Sequence, residues 1–213
     1  MTDTDINTTG LTFFSLNEAE MLDAIVGRIV PGDAADPGAC EIGVVTYIDR
    51  AVAGAYVQCQ RPYREGMRAL NAHIEAAHGC RFTALSTREQ DGILAALEGG
   101  SVDGVDAGGG RDFLTMIWAH TIEGMFSDPA YGGNRDAQGW RLIGFPGAHY
   151  GYSAEEMRYG NDPTATKPMV TLADIRVLAR ERPELFFHRA GSKARDSAGR
   201  PAPDPSGAAP DPR

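Results

Sequence analysis

From Leu11 to Met125 the apolar residues recur three and four apart, and no alternating stretch of useful length suggests a strand. Ser15 followed by Glu18 is a capping box, with Leu11, Phe13 and Phe14 placed to staple the helix start. Leu22, Ile25, Val26 and Ile29 give that first helix one apolar face, and Pro31-Gly32-Asp33 ends it. After the loop DAADPGA, a second helix is predicted from about Cys40 to Val57. Ile42, Val45, Ile48 and Val52 mark its face, and Asp49 is the polar exception on it. Arg61-Pro62 starts a third helix that runs to about His78, with Tyr63, Met67, Leu70 and Ile74 inward and Gly79 as the stop. Ser86 and Glu89 form a second capping box ahead of Ile93, Leu94 and Leu97.

Gly99 to Gly110, rich in Gly and Asp, reads as a flexible linker. It is no phosphate cradle, since neither G-x-x-x-x-G-K-[ST] nor G-x-G-x-x-G occurs in the chain. Asp112 to Met125 is apolar around much of its circumference (Phe113, Leu114, Met116, Ile117, Trp118, Ile122), which predicts a central helix. A further helix is expected in TLADIRVLARERPELFF. The pattern holds no internal repeat and no heptads. The expected fold is mainly α: one helical domain over residues 11–189 with an irregular C-terminal third, flanked by disordered segments at 1–10 and 190–213.

Between the central helix and that third lies SDPAYGGNRDAQGWRLIGFPG, Ser127 to Gly147, dense in Gly, Pro and aromatic residues and without helical periodicity. Gly permits backbone angles that other residues avoid and Pro fixes one, so such a stretch makes a shaped surface loop. Gly132, Gly133, Gly139, Gly144 and Pro146 would shape the backbone of this platform, and Tyr131, Asn134, Arg135, Trp140 and Phe145 would meet a partner. On this reading Trp140→Ala weakens assembly more than it weakens the fold. The competing reading has Tyr131, Trp140 and Phe145 closing the core on the central helix. Asp128-Pro129 reads as a turn, and Asp136 as a helix N-cap.

The bulk numbers mostly exclude. The 213 residues carry 20 Lys and Arg against 29 Asp and Glu, a formal charge of −9, which argues against nucleic acid as a partner. The charges are interspersed, without a long run of one sign. Cys40, Cys59 and Cys80 form no C-x-x-C pair and are odd in number, so free thiols are expected, not a disulfide framework or a metal cluster. No apolar run approaches the roughly 20 residues that cross a bilayer. MTDTDINTTG has no basic start, apolar core or twin-arginine pair, so no secretory signal is expected on this chain.

Candidate chemistry is sparse. His120 and Glu123 share a helix face and are expected to form a hydrogen-bonded pair; a di-iron site would want the reverse order and a second copy. With Asp128 they are the residues a free-standing helical enzyme would use. Asp49 could pair with Arg50 or another neighbour. No G-x-S-x-G or H-E-x-x-H occurs. No catalytic, cofactor-binding or metal-ligating residue is therefore assigned.

Three stretches, LTFFSLNEAEMLDAIVGRIVPGD, GVVTYIDRAVAG and HTIEGMFSDPAYGGNRDAQGWRLIGFPG, resemble the gluconate 2-dehydrogenase subunit 3 (gamma subunit) family, over roughly Leu11 to Gly147. The resemblance implies a non-catalytic small subunit that binds, stabilises and helps mature a flavin-dependent dehydrogenase. The large partner, of the glucose–methanol–choline type, would hold FAD and oxidise a sugar or alcohol, with a cytochrome c subunit as a further component. The small subunit would carry no cofactor of its own. A transient chaperone of the flavin subunit is the alternative role. Members of the family often bear a twin-arginine signal on this subunit; without one, the expected place is the cytoplasm, or the periplasmic face of the inner membrane if the partner directs export.

Overall fold

A computed structural model describes residues 10–102, 105, 110–149, 152–162 and 167–182. The chain divides into one unit up to Asp174 and a second from Ile175, which begins within the last helix. The helices are α1 (Leu16–Ile29), α2 (Ala39–Ile42), α3 (Val44–Ala53), α4 (Gln60–His78), α5 (Thr87–Glu98), α6 (Gly110–Phe126), α7 (Gln138–Leu142) and α8 (Leu172–Glu181). Among the described residues there is no strand, and β pairing is confined to a parallel bridge between Gly147 and Val170. The predicted helix through 171–187 is present as α8; residues 183–187 lie outside the described residues, as do 1–9 and the predicted tail.

Both predicted capping boxes form. The Ser15 and Ser86 backbone amides each donate at 2.8 Å to the glutamate three residues on. These contacts satisfy amides that an α-helix leaves without intrahelical partners. In α1 the inward residues are Ala19, Met21, Leu22, Ile25 and Val26, and in α4 Tyr63, Gly66, Met67, Leu70 and Ile74. Each spacing places one stripe against the core, where a fully buried Leu or Ile contributes about 1.5–3 kcal/mol.

The core is organised on α6, which touches α1 through α5 and α7. Its span matches the central helix expected from the sequence, and its apolar residues divide between the core and the surface. Phe113 and Ile117 are buried, whereas Trp118 is 54% exposed. Two differences from the sequence reading have clear causes. The single helix expected over 40–57 breaks at Gly43, whose φ of +80° ends α2 and starts α3. That left-handed turn suits a residue without Cβ. In the stretch read as a linker, Val102 and Val105 are buried in the core, as apolar side chains can be within a Gly-rich segment.

Asp49 is the polar exception on α3 for a structural reason. Its carboxylate is buried and accepts three backbone amides, Thr12 N at 2.6 Å, Phe13 N at 2.9 Å and Phe14 N at 2.8 Å. The segment that leads into α1 is thereby pinned across α3, and neither Arg50 nor another side chain is needed to balance Asp49.

Candidate functional site

The Gly- and aromatic-rich loop begins where α6 ends. Asp128 caps the short 3-10 turn Pro129–Tyr131, its Oδ1 accepting Ala130 N at 2.9 Å. Its second oxygen accepts Leu172 N at 2.8 Å, so the buried carboxylate also holds the start of α8. Asn134 is fully buried and is the hub of the loop. Its Nδ2 donates to Ser127 O at 2.8 Å, while its Oδ1 accepts Gly139 N at 2.8 Å and Trp140 N at 3.4 Å. Asn134 thus caps α7 by side chain, and the expectation that Asp136 does so is corrected. Asp136 and Ala137 instead have φ of +54° and +56°, beside +46° at Asn134. Three non-glycine residues so close together in the left-handed region form a tight, costly turn, held by the bonds to Asn134.

Trp140 points inward. It is 4% exposed, its indole Nε1 donates to Phe126 O at 2.7 Å, and its ring meets Phe145 edge to face at 5.0 Å. The expectation that Trp140 projects from the platform is therefore corrected: this residue nails the loop to the end of α6. Gly133 and Gly139 are also buried, and a Cβ at either would overlap the carbonyl oxygen of Gly124 or of Met125 on α6, so each position requires glycine. The exit is tied down at Pro146–Ala148, where Ala148 N donates to Val170 O at 2.7 Å and Val170 N to Pro146 O at 3.3 Å.

The ten residues singled out from the sequence thus sort into a frame and a rim. Gly133, Asn134, Gly139 and Trp140 are buried, Gly132 and Pro146 half-buried, and Tyr131, Arg135, Gly144 and Phe145 exposed. Tyr131 (55%) and Phe145 (41%) present aromatic surface to solvent. Leu142 and Ile143, not singled out from the sequence, join them on the exposed rim. The only sequence signal for this pair is their position between Trp140 and Gly144.

The residues considered for chemistry have structural partners. His120 and Glu123 are not bonded to each other as expected; each meets its own tyrosine. Nδ1 of the buried His120 lies 3.0 Å from the Tyr63 hydroxyl, and its ring stacks on Tyr56 at 4.9 Å. The Tyr47 hydroxyl donates to Glu123 at 2.9 Å. Burial pushes the His120 imidazole below its usual range, against the opposing pull of the Glu123 charge. Cys40, Cys59 and Cys80 are free thiols. Burial, with the charges of Asp23 and Glu41, pushes Cys40 up to about 12, which disfavours the nucleophilic thiolate. Among the described residues no three His, Cys, Asp or Glu side chains gather as a metal site, and no helix is long and apolar enough to cross a membrane.

Comparison with curated proteins and with solved structures returned no match. Against models of known protein families, residues 17–147 match gluconate 2-dehydrogenase subunit 3, a stretch that runs from the first turn of α1 to the end of the aromatic loop. The match takes in more than half of the chain and includes both the helical core and the framed loop, and on it the chain belongs to the gluconate 2-dehydrogenase subunit 3 family.

Proposed function

We propose that this chain is a non-catalytic accessory subunit that binds and stabilises a flavin-dependent dehydrogenase through the Ser127–Gly147 loop. The observation that carries the reading is the division of that loop: a frame fixed by Asn134 and Trp140 holds Tyr131, Ile143 and Phe145 out in solvent. Apolar side chains held rigidly at the surface lose little conformational entropy on docking, which favours tight association. The partner is a large subunit of the glucose–methanol–choline type that holds FAD and oxidises a sugar or alcohol. The bonding of His120 to Tyr63 and of Glu123 to Tyr47 agrees with structural duties for both residues in this chain.

Affinity capture of the tagged chain from its native cell, followed by a flavin absorbance spectrum of the eluate, tests the reading. A stable, yellow oxidoreductase in stoichiometric amount is the expected result. A chain that elutes alone and colourless would overturn permanent association.

A further inference from the structure

The platform packs across one face of α3, and this brings cations of α3 and of the loop together. Gly43, Thr46 and Arg50 lie on that face at helical spacing. The Arg135 guanidinium sits over Gly43, while Thr46 and Arg50 close on Gly132. A Cβ at Gly132 would lie 3.0 Å from Arg50 Nη1, and one at Gly43 would lie 3.1 Å from Arg135 Nη2. Arg50 therefore lies against Gly132, the residue that follows the exposed Tyr131, and Arg135 stands three residues further along the same loop.

Arg141 adds a third cation, its Nη1 donating to the backbone oxygen of Asp136. Arg50, Arg135 and Arg141 are all exposed, and none makes an ion pair with a carboxylate among the described residues. Carboxylates of the described residues also lie near this surface. Asp136 is exposed, Asp128 is buried and bonded to two amides, and half-buried Asp23 lies within electrostatic reach of both Arg135 and the exposed Glu41. Half-buried Glu123 is engaged by the Tyr47 hydroxyl. A chain with a formal charge of −9 thus shows three exposed arginines without a carboxylate ion pair among the described residues beside its aromatic loop.

We infer that the partner surface that meets this rim is acidic, and that Arg50 and Arg135 steer and orient the docking of the large subunit. The inference rests on the platform being the docking surface, as proposed above. Arginine suits the role, because its planar guanidinium pairs with carboxylates in two-pronged geometry and also lies against aromatic rings. Charges at the edge of an interface act mainly on the association rate and its salt dependence. An anionic bilayer is the less favoured occupant, since the family match is to a subunit of a dehydrogenase, which implies a protein partner.

The test uses the flavin-containing large subunit that co-purifies with the tagged chain, dissociated and rebound to immobilised small subunit. Association should slow by roughly tenfold or more as salt rises from about 50 to about 500 mM. Arg50→Glu and Arg135→Glu should each slow it by a similar factor at low salt and flatten the salt dependence, with thermal unfolding of the small subunit unchanged. Arg50→Lys should retain most of the rate. Rates indifferent to salt and to both reversals would overturn the inference. If Tyr131→Ala still weakened binding, the docking reading would survive that result. If Tyr131→Ala and Phe145→Ala also left binding intact, both readings would fall. Binding of the chain to phosphatidylglycerol vesicles, abolished by the same reversals while the large subunit still bound, would assign the cations to lipid and overturn the inference as well.

Discussion

Single residues carry the most consequential polar decisions in this protein. Asp49 satisfies three backbone amides of Thr12, Phe13 and Phe14 from within the core. Asp49→Ala should cost on the order of 3 kcal/mol, because it removes a charged acceptor and leaves buried donors without a partner. Urea denaturation checks this, and a loss below about 1 kcal/mol would mean that water replaces the carboxylate there. His120 makes a pH prediction. Its folded pKa is depressed from 6.5 by burial, so the unfolded chain takes up a proton first as pH falls. Stability should be unaffected by this group above its unfolded pKa, decline as pH drops through about 6.5, and level off below the folded value. Melting curves of wild type and His120→Gln across that range are the measurement; the variant should lose this component of the decline. Asp49 was legible as an anomaly on an apolar stripe, yet its partners lie more than thirty residues upstream, beyond the reach of local pattern.

At the scale of elements, local rules suffice for much of the helical pattern. The capping boxes at Ser15 and Ser86 formed, and the apolar stripes of α1 and α4 face inward as the spacing required. Local rules do not reach Gly43, where helix-favouring neighbours mask a left-handed break, or Asp136, where Asn134 takes the capping role. Local pattern leaves Trp140 open, since an aromatic residue in a Gly-rich loop suits a rim or a nail equally well. The carbonyl of Phe126, left free at the end of α6, accepts the indole N–H and settles the choice. Trp140→Ala should therefore destabilise the fold by about 3–5 kcal/mol, and any loss of assembly should follow from the loosened loop. Near-normal thermal stability of that variant with a lost complex would restore the rim reading.

For the whole molecule, the proposed function separates folding and assembly by position. The frame belongs to the fold and the rim to the surface, so on that reading substitutions in the two should have opposite signatures. Tyr131→Ala combined with Phe145→Ala should leave stability within about 1 kcal/mol, given exposures of 55% and 41%, and should weaken capture of the flavin subunit by tenfold or more. A double variant that melts early yet still holds its partner would contradict this division. Such a separation fits an accessory subunit of a dehydrogenase complex.

Helical class, caps, inward stripes and family were all readable from the chain, because each depends on residues within a few turns of one another or on a long specific motif. Which aromatic turns in and which turns out was not readable. Nor were the three amides that gather on Asp49, or the cations brought to the platform from α3. Those outcomes depend on carbonyls, amides and guanidinium groups that meet only after α3, α6 and the loop have packed, and packing joins positions that no local period relates.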